Sequence, residues 1–163
     1  MQRVGIHLQV QALVKVDAQE RDYFGRSAYN RYYYATFNCA KLLVTQLDAK
    51  WAKTPHAVFP SLLATTIVSE LEKGRSQAAK LGDFQLVTLC NQAKASSHAL
   101  AKLMTEAYAV RVIADYSLET AIVFGTGQRF ELNRIDITDA HQWPSKAAAL
   151  SKVIADAWKQ VHV

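Results

Sequence analysis

The chain has 163 residues, half of them hydrophobic, so it can bury a core without support from disulfides or a structural metal, and we expect a single domain over residues 1–163. Its net charge is +5, from 19 Lys and Arg against 14 Asp and Glu, which permits polyanionic partners such as RNA. The chain lacks the dense basic clusters of a dedicated DNA-binding protein. Neither a signal-peptide pattern nor an apolar run of roughly 18 residues occurs, which predicts a cytoplasmic protein without membrane association.

Hydrophobic spacing predicts two helices in the first third of the chain. Residues 4–10 alternate apolar and polar as in a strand, but Ala12 and Val16 continue at helical spacing, which favours a helix. Apolar residues recur every three or four positions over 26–50 along two adjacent lines, so this second helix should be covered over most of its girth. Its remaining face carries a polar stripe that comprises Asn30, Tyr34, Asn38 and Lys41.

The middle of the chain predicts two further helices. Thr54-Pro55 is typical of a helix start, with the threonine as cap and the proline in the first helical position, and the helix should run from Pro55 or His56 to about Lys73. Gly74 predicts that stop, and the residues 75–80 then form a basic connection. A long helix follows over 84–114, with an apolar stripe along its length.

The last part of the chain changes character before a final helix. Residues 121–135 contain two short apolar runs around a Gly-Thr-Gly-Gln turn, which predicts a two-stranded hairpin or an extended arm. The final helix should cover about 138–160, with a kink at Pro144 or a restart at Ser145. Together these elements predict an all-α fold, an antiparallel up-and-down bundle of four to five helices with the short hairpin or arm before the last helix.

Three segments resemble signatures of the HEPN domain family. The run 27–41, Ser-Ala-Tyr-Asn-Arg-Tyr-Tyr-Tyr-Ala-Thr-Phe-Asn-Cys-Ala-Lys, resembles the Ser-Arg-x-Tyr-Tyr-Ala-x-Phe-His-like string of the family's second helix. The run 108–116, Tyr-Ala-Val-Arg-Val-Ile-Ala-Asp-Tyr, is similar to the Arg-x-x-Ala-Asp-Tyr ending of its third long helix. The run 137–140 and the Ala-rich helix after it are similar to its last helix. The resemblance therefore covers nearly the whole chain in the expected order.

The resemblance implies a helical bundle that usually forms a homodimer. Many HEPN proteins are metal-independent ribonucleases of toxin–antitoxin, phage-defence or RNA-processing systems, and others only bind RNA, nucleotides or partner proteins. Relatives are often paired with a small nucleotidyltransferase, the antitoxin, that can modify a tyrosine near the motif, which would give Tyr116 a regulatory role. These implied properties need no cofactor.

Arg111 matches the arginine that active HEPN ribonucleases use, but the expected histidine shortly after it is missing. Cleavage through the 2′-hydroxyl of RNA needs a group that moves protons and a fixed cation beside the phosphate. Asp115 lies on the same helical face as Arg111 and could accept a proton, whereas Tyr116 carries a phenol that ordinarily ionises at about pH 10 and is a poor base. Alternatively, Arg111 and Asp115 form an ordinary surface or interface ion pair.

The polar stripe supplies the candidates for RNA or nucleotide binding, and Asn38 stands where many relatives carry a histidine. Tyr34 offers a stacking face for a base, and the stripe should share one crevice with Arg111. Alternatively, these side chains only satisfy neighbouring polar groups. The candidate binding residues are Asn30, Arg31, Tyr34, Asn38 and Lys41.

The remaining chemistry-bearing residues predict no metal site. The five histidines are scattered without metal-ligand spacing and should be packed or solvated, and Cys39 and Cys90 should be buried thiols. A scattered basic set could form a rim for an acidic partner or simply be solvated: Arg75, Lys80, Lys94, Arg129 and Arg134.

Two functions are compatible with these residues. The first is an RNA- or nucleotide-associated HEPN protein, with metal-independent ribonuclease activity if Arg111, Asp115 and Tyr116 are catalytic. The second is a non-catalytic HEPN module for binding or dimerisation, which the missing histidine favours.

Overall fold

The computed structural model of the chain describes residues 1–162, which contain five helices and three short strands. The third helix is continuous but consists of an α-helical turn, a π-helical segment and a longer α-helical segment. Two short 3-10 helices, Ala49–Lys53 and His56–Val58, precede it. The five helices are α1 (Gln2–Val14), α2 (Ala18–Leu47), α3 (Phe59–Ser61, Leu62–Ile67 and Val68–Lys80), α4 (Phe84–Tyr116) and α5 (Ile137–Val161).

The strands form one small antiparallel sheet in the order β1-β2-β3. They are β1 (Val123–Phe124), β2 (Phe130–Leu132) and β3 (Ile135–Asp136), all placed before α5. The fold is therefore an all-α helical bundle with a short arm before the last helix, which confirms the predicted fold class. The third strand was not predicted, because Asn133 and Arg134 make the two-residue turn with positive φ values of 50° and 64° although neither is glycine.

The chain forms two compact units. The first comprises 1–37 and 106–145, and the second comprises 38–105 and the chain from Lys146 onward. Helices α2, α4 and α5 contribute residues to both units. The expectation of a single domain over 1–163 stays a prediction.

In the first unit, Tyr29 of α2 ties the sheet to the helical core. Its ring is completely buried and meets the ring of Phe130 edge to face, with centroids 6.0 Å apart. Its hydroxyl donates a hydrogen bond to the carbonyl oxygen of Ile135 at 2.6 Å. The arm is therefore anchored to α2 at both β2 and β3.

Arg26, also on α2 in the first unit, closes the carboxyl end of α4. Its side chain is 5% exposed, and its Nε lies 2.5 Å from a carboxylate oxygen of Asp22. The last carbonyls of a helix lack partners within the helix, so a buried guanidinium with several donors can satisfy them. Arg26 donates to the carbonyl oxygens of Ile113, Ser117, Leu118 and Thr120.

In the second unit, the predicted end of the third helix at Lys73 is wrong, because α3 continues through Gly74 to Lys80. A Cβ atom at Gly74 would lie 2.4 Å from both methyl carbons of Val161, so the glycine permits close packing and does not stop the helix. The chain turns instead at Gly82, whose φ is +73°. The predicted basic connection over 75–80 is therefore helical.

The start of that helix was predicted at Pro55 or His56, and the chain becomes helical at His56, first as a 3-10 turn that leads directly into α3. Pro55 precedes the short 3-10 helix His56–Val58, and α3 begins at Phe59 with a proline in its first turn. Within the π-helical segment, the carbonyl oxygen of Leu63 accepts a hydrogen bond from the buried Ser97 hydroxyl at 2.7 Å.

Side-chain caps explain the other differences in helix bounds. α2 begins at Ala18, well before the predicted start at 26, because the Asp17 carboxylate accepts a hydrogen bond from the backbone N–H of Glu20 at 2.8 Å. The Asp136 carboxylate accepts from the backbone N–H of Thr138 at 2.8 Å and so places the start of α5. α5 is continuous through Pro144 and does not restart at Ser145.

Cys90 is buried as predicted, but Cys39 is only partly buried. Burial raises the pKa of both thiols, so they stay protonated and unreactive at neutral pH. Within residues 1–162, no helix combines the length and apolarity needed to cross a bilayer.

Candidate functional site

The candidate site lies in the first unit, where the α2 segment around Asn30 and Tyr34 packs beside the end of α4. Tyr33 is completely buried next to Tyr34, and its ring contacts the ring of Tyr108 on α4 at 6.0 Å between centroids. This aromatic contact places Tyr34 within reach of Arg111, one turn further along α4. The sequence pattern placed Tyr33 on a buried face of its helix but did not assign Tyr108 to the core or indicate that the two rings meet.

The Arg111 guanidinium is fixed by two neighbouring side chains and is partly accessible to solvent. Its Nη2 lies 2.8 Å from a carboxylate oxygen of Asp115 and donates to the Tyr34 hydroxyl at 3.3 Å. The side chain is 19% exposed, and burial alone would lower the pKa of Arg111, but the Tyr34 hydrogen bond and the Asp115 charge raise it overall. The guanidinium therefore stays charged at any physiological pH.

Asp115 is engaged on both carboxylate oxygens. One oxygen pairs with Arg111, and the other accepts a hydrogen bond from the side-chain amide of Asn30. The i,i+4 spacing on α4 predicted the first contact, whereas the second joins α2 to α4 and was not predicted. Asn30, Tyr34, Arg111 and Asp115 therefore form one connected polar group, which we call the Arg111 cluster.

Two buried polar atoms of the Arg111 cluster, the amide oxygen of Asn30 and the Nε of Arg111, have no hydrogen-bond partner among residues 1–162. An unpaired buried donor or acceptor costs about 1–3 kcal/mol, so such atoms are uncommon in folded proteins. The Arg111 cluster thus keeps one donor and one acceptor that are unpaired and inaccessible to solvent.

Tyr116 supplies an exposed aromatic surface at the edge of the Arg111 cluster. It is the last residue of α4 and is 71% exposed. The guanidinium carbon of Arg111 lies 5.6 Å from the centre of its ring and 5.9 Å from that of Tyr34, both within cation–π range. A cation and an exposed ring are therefore neighbours on this surface.

The other candidate binding residues, Arg31, Asn38 and Lys41, are not members of the Arg111 cluster. Arg31 is half-buried and its Nη1 lies 4.0 Å from the sulfur of Met1. Asn38 and Lys41 belong to the second unit and are exposed. Their part in a common crevice with Arg111 stays a prediction.

The histidines and acids do not assemble into a metal site: within residues 1–162, no group of three or more His, Cys, Asp or Glu side chains could hold an ion. The Nδ1 of His141 lies 3.1 Å from the hydroxyl of Tyr32, and the pKa of Tyr32 is raised by burial to about 12. His162 stacks on Trp158 with ring centroids 4.1 Å apart, whereas His7 and His98 are exposed.

The suggested basic rim is partly neutralised by acids. In the second unit, Arg75 lies 2.5 Å from one carboxylate oxygen of Glu72, and Lys94 binds the other. In the first unit, Arg129 lies 2.9 Å from Asp136. The exposed cations of these three pairs are therefore less available to an acidic partner than the sequence suggested.

The two ion pairs of Glu72 predict how the stability of the protein depends on pH. The hydrogen bonds from Arg75 and then Lys94 lower the pKa of Glu72 to about 2 from an ordinary 4.5. A lowered folded-state pKa stabilises the fold above the ordinary value, and that contribution is lost as the pH falls through the folded value. We expect the melting temperature to fall less between about pH 5 and 2 in Glu72→Gln than in the wild type. Glu119→Gln, at an exposed position, should follow the wild type, and identical profiles for all three proteins would contradict this assignment.

Comparisons of the chain with models of known protein families, with curated proteins and with solved structures found no match.

Proposed function

We propose that this chain is a HEPN-family protein that binds RNA or a nucleotide, with Arg111 contacting a phosphate and Tyr116 stacking on a base. The observation that carries the proposal is the fixed Arg111 guanidinium beside the exposed Tyr116 ring. Single-stranded RNA is commonly bound by cations that contact phosphates together with aromatic rings that stack on splayed bases. The resemblance of the runs 27–41 and 108–116 to HEPN signatures supports the same reading.

The geometry of Arg111 suits a phosphate. Both of its side-chain contacts, to Asp115 and Tyr34, use Nη2, and its Nε is buried, so Nη1 is the nitrogen left for a phosphate oxygen. An arginine N–H forms a charge-assisted hydrogen bond with a phosphate oxygen, and a guanidinium held in place loses little entropy when it does so. Asp115 and Tyr34 would thus act by orienting Arg111.

Binding is the primary activity in this proposal, because the histidine expected shortly after Arg111 is missing from the sequence. Asp115 has a partner on each carboxylate oxygen, Arg111 on one and Asn30 on the other, which supports its part in orienting Arg111. The second candidate, a metal-independent endoribonuclease, would require Asp115 to accept a proton on an oxygen that already has a partner, or Tyr116 to move the proton. The proposed homodimer and an antitoxin of the nucleotidyltransferase type are compatible with either activity.

A binding titration tests the proposal. Labelled single-stranded RNA of mixed sequence is titrated with the protein in EDTA, with fluorescence anisotropy as the readout. Arg111→Ala should weaken binding by about tenfold to a hundredfold, because a hydrogen bond to a charged group is worth roughly 1.5–3 kcal/mol. Lys102→Ala, which removes an exposed charge elsewhere on α4, should change the dissociation constant by less than about threefold.

The same samples on a denaturing gel separate the two candidate activities. Cleavage by the wild type that is lost in both Arg111→Ala and Asp115→Asn supports the ribonuclease. RNA that stays intact while binding depends on Arg111 supports the non-catalytic module. Equal RNA binding by the wild type and a folded Arg111→Ala variant contradicts the proposed phosphate site.

A further inference from the structure

A cavity in the second unit has a different chemistry from the Arg111 cluster. It encloses about 340 Å³ where the end of α2, the 3-10 helix Ala49–Lys53 and the end of α5 meet α3. Its wall combines aromatic rings with two acids. The chemistry-bearing side chains are Asp48, Lys50, Trp51, Glu70, Trp158 and His162.

The aromatic wall is built from rings that hold one another in place. The rings of Trp51 and Trp158 meet edge to face at 5.8 Å between centroids, and His162 stacks on Trp158 at 4.1 Å. Trp158 is only 9% exposed, whereas Trp51 is partly exposed and lines the opening. A bound group would therefore meet a preformed aromatic surface, chiefly the face of Trp51.

The charges of the cavity suit a cation that takes the place of Lys50. Asp48 pairs with Lys50 at 2.6 Å and Glu70 pairs with Lys73 at 2.7 Å, so the two carboxylates are balanced by two ammonium groups. A phosphate in this cavity would face both carboxylates, so it is a poor second site for RNA.

The protein's own Lys50 shows where a cation can sit. Its ammonium lies 2.6 Å from a carboxylate oxygen of Asp48 and 5.2 Å from the centre of the Trp51 ring. The Lys50 side chain is 69% exposed, and an exposed ion pair of this kind contributes little to stability. An external cation can therefore displace Lys50 at small cost.

We propose that this cavity binds a quaternary ammonium group, which takes the place of the Lys50 ammonium between Trp51 and Asp48. A quaternary ammonium carries a full positive charge but has no N–H donor that the aromatic wall would leave unpaired. Aromatic rings attract such groups through the negative potential of their faces, and nearby carboxylates add to the attraction. The group comes either from a free choline-like molecule or from a trimethylated lysine on a peptide.

Nuclear magnetic resonance of the three tryptophan indole N–H groups tests the proposal on the full chain. Choline chloride should shift the Trp51 and Trp158 signals in a saturable manner and leave Trp143, which is buried in the first unit, unchanged. Sodium chloride at the same ionic strength and 3,3-dimethylbutan-1-ol, the uncharged analogue of choline, should shift neither signal. Shifts of equal size with the uncharged analogue would overturn the proposal, as would the absence of saturable shifts with every cation tested.

Two charge variants should change the affinity for choline in opposite directions. Lys50→Ala removes the competing ammonium and should bind choline about fivefold more tightly, whereas Asp48→Asn should bind it about fivefold more weakly. The asparagine keeps an oxygen that can accept the cap hydrogen bond from the backbone N–H of Lys50, so the local fold is retained. Lys53→Ala removes an equal charge from the exposed end of the same 3-10 helix and is the matched control. Equal effects of Lys50→Ala and Lys53→Ala would mean a general charge effect and would overturn the site.

A final comparison distinguishes the two sources of the cation. A short peptide with one trimethyllysine is titrated beside choline and beside the same peptide with unmodified lysine. Tighter binding of the trimethylated peptide than of choline supports the site with a protein partner, and binding of choline alone supports it with a small molecule. If neither trimethylammonium compound binds, the proposal is wrong.

Discussion

Arg26→Ala is expected to lower the free energy of unfolding by about 3–4 kcal/mol, one of the largest effects of any single substitution in the chain. The guanidinium is nearly inaccessible to solvent and donates to several carbonyl oxygens at the end of α4, while its Nε pairs with Asp22. Alanine removes one donor from each of those carbonyls, of which Ile113 and Ser117 keep a backbone hydrogen bond, and removes the partner of the partly buried Asp22 carboxylate. Chemical denaturation followed by circular dichroism measures the loss.

Two companion variants show whether the effect comes from the fork-shaped guanidinium. Arg26→Lys keeps the charge but has fewer donors in a different geometry, so it should lose roughly half as much stability as the alanine variant. Arg129→Ala removes an arginine from an ion pair with Asp136 in which the arginine is 59% exposed, and should cost less than about 1 kcal/mol. If Arg26→Ala is no less stable than Arg129→Ala, the proposed closure of α4 by Arg26 is wrong.

Tyr29→Ala is expected to cost about 3–5 kcal/mol, because it removes a completely buried aromatic ring from the contact between α2 and the arm. The hydroxyl has a separate role that Tyr29→Phe isolates. Burial raises the pKa of Tyr29 well above its ordinary value, so the phenol stays protonated and donates to the Ile135 carbonyl. Loss of that donor should cost about 1–2 kcal/mol.

Tyr23→Phe is the control for the hydroxyl, since Tyr23 lies on the same helix, is 55% exposed and accepts a hydrogen bond from Gln19. Its unfolding free energy should stay within about 0.5 kcal/mol of the wild type. Equal stability of Tyr29→Phe and Tyr23→Phe would show that the bond to Ile135 contributes nothing net.

Both stability predictions concern residues of α2 whose contacts support the Arg111 cluster. Tyr29 directly precedes Asn30 on α2 and Arg26 lies one turn before it, and Arg26 contacts the same end of α4 that carries Asp115 and Tyr116. Their replacement should therefore disturb the contact between Asn30 and Asp115 without altering any cluster residue. If Arg26→Lys keeps its helix content but loses RNA binding, the proposed function depends on these supporting contacts.

Several elements could be predicted from the sequence because hydrophobic spacing reports which face of a helix is buried. The repeats along α2 and α4 indicate long amphipathic helices, and the change of pattern after residue 121 indicates the arm. The bounds were less predictable, since a side-chain cap such as Asp17 and a close-packed Gly74 look like ordinary loop and turn residues in the sequence. The same limitation hid the third strand, whose turn uses Asn133 and Arg134.

For the candidate site, the sequence by itself determined the pairing of Arg111 with Asp115, because residues four apart on a helix share a face. Only the tertiary structure brought Asn30 and Tyr34 of α2 to that pair and placed Trp51 against Trp158. The physical reason is that periodicity specifies which side of a helix is buried but not how far it slides or rotates against its neighbour. That register depends on the packing of particular side chains, such as Tyr33 against Tyr108, which are far apart in the sequence.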